Sequence, residues 1–566
     1  MSALKGQNRI RLLGIAFTAF FAAISLQLGQ LTLLHPHEVQ SVDAMPKEEH
    51  SPRPDIVDRN GRVLATDLVV SSLFADPRKI LDVDEAVELL TAHIPELDAA
   101  TLRKNLKMPG KAFVWLRRQV TPDERDEIYN LGIPGVGFVD ERKRVYPLGR
   151  LAAHILGNVD VDTRGIAGIE KFLDDQGAIY TASLNQPETH STAPAELSID
   201  VRVQQALTDE VAKAVEKYHA KAGGGIIEDI ETGEIMGLVS LPDFNPNSDD
   251  KRLTSNTENK MTAGVYELGS VIKAVTFAMA LDAGTTTLKT VYDTGTPLAI
   301  GKFRIHDYEP KKSQTVEEIF TNSSNIGTAK MALQVGLDGH MAFLRKVGLL
   351  DRLITELPES AKPLLPRHWS KLSSATAAFG HGFAVQPLQG LSVIADLLNG
   401  GMAVPPTFLK RSKEEADALS TRLIKPETSA DIRYLFRANV ERGTASRAEV
   451  IGYRVGGKTG TAEKVVNGRY SKTLSLSSFI GAFPMDHPKY AILVMLDEPQ
   501  GLPETFGFST AGWNAVPTAR AIIARVAPIL GVEPVFTADD LTKIAKQKAA
   551  EDLKAKLTKQ APEKQG

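Results

Sequence analysis

The chain has 566 residues, too many for one ordinary domain, so two or three are expected. Its content of 43% hydrophobic and 24% charged residues is that of a folded globular protein, and a net charge of −3 supplies no basic field for nucleic acid. There is no cysteine, which excludes disulfide frameworks, thiolate catalysis and cysteine-ligated zinc.

Leu12 to Leu34 is a run of 23 residues without a charge. At about 1.5 Å per residue, such a helix reaches roughly 30 Å, enough to cross a bilayer core. Lys5, Arg9 and Arg11 precede the run and the next basic residue after it is Lys47. That asymmetry predicts residues 1–11 as a cytoplasmic tail, 12–34 as a single transmembrane anchor, and everything beyond as lying outside the cytoplasm. Residues 35–54 are polar and proline-bearing and read as a linker. From 55 to about 195 a mixed region is expected. In it Asp82-Val83-Asp84-Glu85 and Thr121-Pro122-Asp123-Glu124 are helix starts, each a capping side chain followed three residues later by an acid. The polar run Gln186 to Pro194 marks a boundary.

A second domain is predicted over 196–535. Asp200 to Ala220 is helical, with Val203, Leu207, Val211 and Val215 on one side. Gly225–Ile230 and Glu234–Val239 flank a tight turn and form a hairpin, hence an antiparallel pair. Ser475–Phe483 and Tyr490–Leu496 are two further strands, with a largely helical stretch from about 270 to 440 between the two pairs. Strands at both ends with helices between them predict an α+β fold whose antiparallel sheet is assembled from distant segments and flanked by helices. The tail 536–566, rich in Lys, Ala, Asp and Glu, reads as solvated and flexible.

Three short patterns in this domain carry chemistry. Ser270-Val271-Ile272-Lys273 opens an apolar helical stretch, Ser270 to Ala283, stopped by Gly284. Residues three apart share a helix face, so the Lys273 amine can reach the Ser270 hydroxyl. A lysine desolvated in an apolar pocket can act as the base that such a weak nucleophile needs. Ser323-Ser324-Asn325 sits on a turn between two predicted helices, Thr315–Asn322 and Ile326–Val335, where a hydroxyl and an amide can face one pocket. Lys458-Thr459-Gly460-Thr461 lies in a strand-like segment, Tyr453 to Val465. Its glycines let a ligand backbone approach, and its two threonine hydroxyls fall on one face at period two. A positive charge with two hydroxyls suits a carboxylate. Taken singly, each pattern has a plainer reading: Ser270 as a helix cap, Asn325 as the cap of the next helix, and 456–461 as a glycine-rich turn.

Together, Ser-x-x-Lys, Ser-x-Asn and Lys-Thr-Gly in this order and spacing are the three elements of the penicillin-recognising serine enzymes. From about 53 to 535 the chain resembles a class B penicillin-binding protein. Asp58-Arg59-Asn60-Gly61, Arg144 to Gly149 and Gly165 to Glu170 resemble the N-terminal module of that family. Gly269-Ser270, Gly443-Thr444, Gly456 to Thr461, Ser478 to Gly481 and Thr510 to Trp513 resemble its catalytic domain. The sequence around Asn322 to Lys330 is most similar to the division-specific (FtsI-type) branch. Two positions depart from the family pattern: Leu268 where proline is usual, and Gln386 where a hydroxyl residue is usual.

The resemblance implies a peptidoglycan D,D-transpeptidase that needs no cofactor. It implies Ser270 as nucleophile, Lys273 as its base, Ser323 as proton relay and Asn325 as holder of the substrate amide. Lys458, Thr459 and Thr461 would bind the terminal carboxylate around Gly460, and the backbone N–H groups of Ser270 and Thr461 would form the oxyanion hole. Stem peptides and β-lactams are the implied ligands, with a membrane-embedded glycan polymerase and other division proteins as partners. The catalytic domain would lie in the periplasm, held off the inner membrane by 55–195 as an elongated pedestal.

Two other chemistries compete. Gly452 to Thr459 satisfies the Gly-x4-Gly-Lys-Thr phosphate-loop pattern, but such a loop must feed a helix, and the residues after it read as a strand. Gly507-Phe508-Ser509-Thr510-Ala511 misses the last glycine of a serine-hydrolase elbow, and the 12 histidines show no metal-binding spacing. A third reading keeps the fold as a catalytically silent sensor or scaffold, against which the three intact motifs argue.

Overall fold

The computed structural model of the chain describes residues 18, 20–22, 53–176, 193–248, 258–466, 468–542 and 544–546. Nearly all of the expected anchor 12–34, most of the linker 35–54, most of the boundary run 186–194 and most of the tail lie outside the described residues. Among the described residues no helix is long and apolar enough to cross a membrane. Residues 68–143 form one compact unit; residues 53–67 with the chain from Arg144 onward form another.

The smaller unit is built as its capping residues dictate. Asp82 accepts from the backbone N–H of Asp84 and Glu85 and starts the helix Val83–His93. Thr121 and Glu124 close a reciprocal capping box at the head of Pro122–Asn130. These helices and Ala99–Leu106 cover a sheet in which Val63–Ala75 pairs with Val114–Val120, burying Leu73, Leu90, Ile94, Leu102, Leu106 and Val120.

The larger unit is organised by a five-stranded antiparallel sheet. Its order is Gly456–Val466, Arg469–Phe483, Tyr490–Asp497, Ala222–Asp229, Ile235–Leu241. The two hairpins read from the sequence meet at the centre, where Ile492 lies opposite Ile227 and Leu493 opposite Ile226. Side chains alternate between faces. Ile227, Phe479, Phe483, Ile492 and Val494 pack on one face with the helices Val201–Lys217 and Ala515–Ile529. Ile226, Ile480, Leu493 and Met495 pack on the other with Lys273–Asp282, Pro387–Leu398 and Pro426–Arg442. Burial on both faces explains why these strands read as unbroken apolar runs, not as an alternating pattern. The stretch 270–440 is largely helical as expected, but also contains short strand pairs, Val291–Asp293 with Ser313–Thr315 and Leu298–Ile300 with Phe303–Ile305.

The motifs outside the three chemical ones have structural reasons. Asp58 turns the chain by accepting from the N–H of Asn60 and Arg62, and its other oxygen accepts from Val201 N–H. Arg144 and Glu170 are buried against each other, Nε to Oε1 at 2.6 Å, and Glu170 also accepts from Arg53.

Candidate active site

Ser270 lies on a tight 3-10 turn, Gly269–Ile272, and the α-helix itself begins at Lys273. The stretch is therefore helical as read, but its first turn is tighter than an α-helix, and Ser270 makes no helix-capping hydrogen bond. The turn is reached through Gly269 in the left-handed region, φ 60°. There the chain is pressed from two sides. A Cβ on Gly380 would stand 2.1 Å from the Gly269 carbonyl oxygen, and one on Gly460 would stand 2.5 Å from the Leu268 carbonyl oxygen. Glycines at 269, 380 and 460 thus let the Ser270 turn, the 380 loop and the edge strand close on one another. Leu268, in the family's proline position, is buried against Gly390. Gln386, where a capping hydroxyl is usual, makes no cap and instead donates to Ser360 Oγ and the Ala361 carbonyl.

Two lysines meet at Ser323. Lys273 Nζ donates to the Ser323 carbonyl at 2.5 Å and to its Oγ at 3.0 Å, and Lys458 Nζ donates to the same Oγ at 3.0 Å. Both lysine side chains are fully buried. Burial drives the Lys273 ammonium well below the usual lysine range, the neighbouring Lys458 charge pushes the same way, and Asp307 opposes. Burial alone pushes Lys458 down to about 7. The Ser-x-x-Lys spacing predicts Lys273 at the Ser270 hydroxyl; here its amine is bonded to Ser323, one hydroxyl along.

Ser323 holds its position at a cost, with φ 59° for a residue bearing a Cβ. What keeps it there is a carboxylate that sequence reasoning missed. Asp307 Oδ2 accepts from Ser324 Oγ at 2.5 Å, and Oδ1 from the N–H of Asn325 at 2.6 Å and of Ile326 at 2.9 Å. Ser324, not Asn325, caps the helix Asn325–Val335 by accepting from Gly327 N–H. Asn325 is thereby freed from capping, and its amide donates to the His306 carbonyl at 3.3 Å. The capping box Thr315/Glu318 fixes the preceding helix, Val316–Thr321. No local pattern marks Asp307, because it acts across a loop, 17 residues before Ser324.

On the edge strand, alternation puts Lys458 and the threonine hydroxyls on opposite faces. Thr459 Oγ1 lies 2.8 Å from Thr444 Oγ1, and Thr461 Oγ1 accepts from Ala511 N–H at 3.1 Å. The Ser270 turn, Ser-x-Asn and Lys-Thr-Gly therefore converge. The phosphate-loop reading fails on its own criterion: Gly456–Val466 is a strand, not a helix. His381, between the rings of Phe379 and Tyr470, has its pKa lowered, chiefly by burial and also by the Lys273 charge, against a backbone hydrogen bond at Phe379 that raises it. Among the described residues no group of three or more His, Asp or Glu side chains could hold a metal ion.

Residues 223–523 match the family described as the penicillin binding protein transpeptidase domain, and residues 48–176 the penicillin-binding protein dimerisation domain. A relative from Caulobacter vibrioides, named probable peptidoglycan D,D-transpeptidase FtsI, is 41% identical across 85% of this chain and 82% of its own length. The protein named probable peptidoglycan D,D-transpeptidase PenA of Neisseria meningitidis is 33% identical across 85% of each chain. The crystal structure of penicillin binding protein 3 of Mycobacterium tuberculosis, complexed with aztreonam, shares the fold, with a TM-score of 0.66 over 86% of this chain and 97% of that one at 23% identity. With its transpeptidase domain, its dimerisation domain and relatives this similar over most of their length, the chain belongs to the penicillin-binding transpeptidases of class B.

Proposed function

We infer that this protein is a peptidoglycan D,D-transpeptidase of septal wall synthesis, cross-linking stem peptides through an acyl-enzyme on Ser270. The observation that carries the chemistry is the pair of buried lysines with lowered pKa values on one hydroxyl, one of them, Lys273, a helical turn along the chain from the proposed nucleophile. A neutral Lys273 takes the Ser270 proton as Oγ attacks the carbonyl between two terminal D-alanines. The N–H groups of Ser270 and Thr461 stabilise the oxyanion, worth about 3–4 kcal/mol for one such donor. The C–N bond breaks as Ser323 gives its proton to the leaving amine and takes the one held by Lys273, and D-alanine departs. A side-chain amine of a second stem then attacks the ester carbonyl, the C–Oγ bond breaks, and Ser270 recovers its proton. Asn325 holds the donor amide; Lys458, Thr459 and Thr461 hold the terminal carboxylate through charge and hydroxyls. In a β-lactam the broken C–N bond lies in a ring, so the leaving nitrogen stays tethered and the acyl-enzyme persists.

The test is a purified full chain supplied with stem peptides ending in D-Ala-D-Ala, with and without an acceptor amine. Release of one D-alanine per cross-linked dimer supports the reading. Release without any dimer makes the protein a carboxypeptidase, and no release at all overturns it.

The same reading assigns residues 12–34 as a single inner-membrane anchor with a cytoplasmic N-terminus, on the asymmetry of Lys5, Arg9 and Arg11. It gives 55–195 as a periplasmic pedestal that docks a membrane-embedded glycan polymerase, and 196–535 as the catalytic domain. Deleting 55–195 should abolish co-purification of a polymerase from detergent-solubilised membranes; unchanged co-purification removes the docking role.

A further inference from the structure

The helix Pro426–Arg442 ends beside the site, and its last buried polar residue is Asn439, with no exposed surface. Both the nitrogen and the oxygen of the Asn439 amide are bonded. Its Nδ2 donates to the Gly457 carbonyl at 2.8 Å, next to Lys458. Its Oδ1 accepts from Thr444 N–H at 3.1 Å and from Thr444 Oγ1 at 3.3 Å. A Cβ on Gly443 would stand 2.2 Å from that Oδ1, so the residue before Thr444 must be glycine for the contact to form. Thr444 itself is exposed, and its Oγ1 is 2.8 Å from Thr459 Oγ1.

These contacts form a chain, Thr459–Thr444–Asn439, in which an exposed hydroxyl, Thr444, links a buried hydroxyl on the edge strand to a buried amide. Each hydroxyl has one proton to give. With no anion bound, the chain can run inward: Thr459 donates to Thr444, and Thr444 to the Asn439 oxygen. An anion at Thr459 demands the opposite polarity, with Thr444 donating to Thr459 and Thr459 to the anion. The reversal leaves nothing buried unpaired, because Thr444 N–H still bonds Asn439 Oδ1 and the Asn439 NH₂ still holds the strand. A buried donor or acceptor stranded by the switch would cost far more than the bond is worth.

We propose that Thr444 is part of the carboxylate-binding site, and that Asn439 is the positioning residue that fixes Thr444 and the 457–459 strand for it. The proposal rests on the reading of this site as a D,D-transpeptidase. It names the ligand as an anionic carboxylate in the position of the donor peptide's C-terminus, with two coupled hydroxyls forming a donor stronger than either alone. Thr444 touches the ligand or the hydroxyl that does; Asn439 acts only through Thr444 and Gly457.

The test compares acylation of the full-length protein by benzylpenicillin and by its methyl ester, which lacks the carboxylate charge. The readout is the ratio of the two second-order rate constants. Thr444→Val keeps shape and removes the hydroxyl; it should lower that ratio about tenfold or more, the loss expected for one hydrogen bond to a charged group. Thr444→Ser should restore it. Asn439→Asp, nearly isosteric, brings a negative charge to the end of the chain and should lower the ratio at least as far, with a smaller change in the ester rate. Equal slowing with both compounds in either variant would mean that the contacts serve structure alone and would overturn the proposal, as would an unchanged ratio in Thr444→Val. If the wild-type protein is acylated by neither compound, the transpeptidase reading itself fails, which is a different result.

Discussion

Ser270→Ala should abolish covalent labelling of the full-length protein by a fluorescent penicillin, while Lys273→Met should still label, with the second-order rate of acylation lowered by about 10²–10⁴-fold, the usual contribution of a positioned base. The two differ because an alcohol cannot be replaced as the atom that forms the ester, whereas a base only lowers a barrier. Methionine fills the buried site without a charge, so the variant should fold at least as stably as the wild type. The pH dependence follows from the same burial. Lys273 is a base only when neutral, and its pKa is held well below the usual lysine range, so acylation should rise with pH and level off at a pH well below that at which an ordinary lysine titrates. Lys458, near 7, titrates close by, and the pair bonded to one hydroxyl shows apparent values that belong to both. Stability carries the same signature. A lysine whose folded pKa is near 7 and unfolded pKa near 10.5 binds fewer protons folded than unfolded between those values. Wild-type stability should therefore rise with pH across that window by up to about 1.4 kcal/mol per pH unit from this group, and Lys458→Met should remove that slope. Retained labelling in Ser270→Ala, mapped to another residue, would overturn the nucleophile assignment. A Lys273→Met rate within a few-fold of wild type would remove its role as base.

The strands, their pairing in two hairpins and the helices between them were legible because the core imposes its period on the chain. Val203, Leu207 and Val211 face the sheet at helical spacing, and Ile226 and Ile227 take opposite faces of a doubly buried strand. The capping residues Asp82 and Thr121 start the helices they were read to start, since a cap is a contact within one turn of chain. Long-range contacts left no such trace. Asp307 ties down the residues after Ser323 from the loop that follows a short strand pair inside a stretch read as helical, and Asn439 reaches across to Gly457 from the end of a helix whose pattern speaks only of its apolar face. The spacing of Ser270 and Lys273 gave proximity but not partners: which oxygen the ammonium chooses depends on Ser323, a residue 50 positions away.

Glu170→Ala should destabilise the protein by about 3–5 kcal/mol, read as a lower urea midpoint at unchanged slope. Glu170 is fully buried and accepts from Arg53 Nε at 2.9 Å and from Arg144 Nε at 2.6 Å. Around it, Arg144 also donates to Asp67 Oδ1 at 3.1 Å and to the Pro54 carbonyl, and Arg53 to Asp174 at 2.7 Å and to the Thr163 carbonyl. Five segments of chain are thus tied through two guanidinium groups with almost no exposed surface. Alanine would leave both guanidinium groups short of a partner where water cannot replace it, and an unpaired buried charge is the expensive outcome, not the lost attraction. Glu170→Gln should cost less, because the amide oxygen still accepts one bond. Replacing Glu170 together with both arginines should not recover the loss, because it strands in turn the buried Asp67 carboxylate that Arg144 pairs. If Glu170→Ala unfolds within about 1 kcal/mol of wild type, the network is not what holds residues 53–67 to the segment from Arg144 to Asp174.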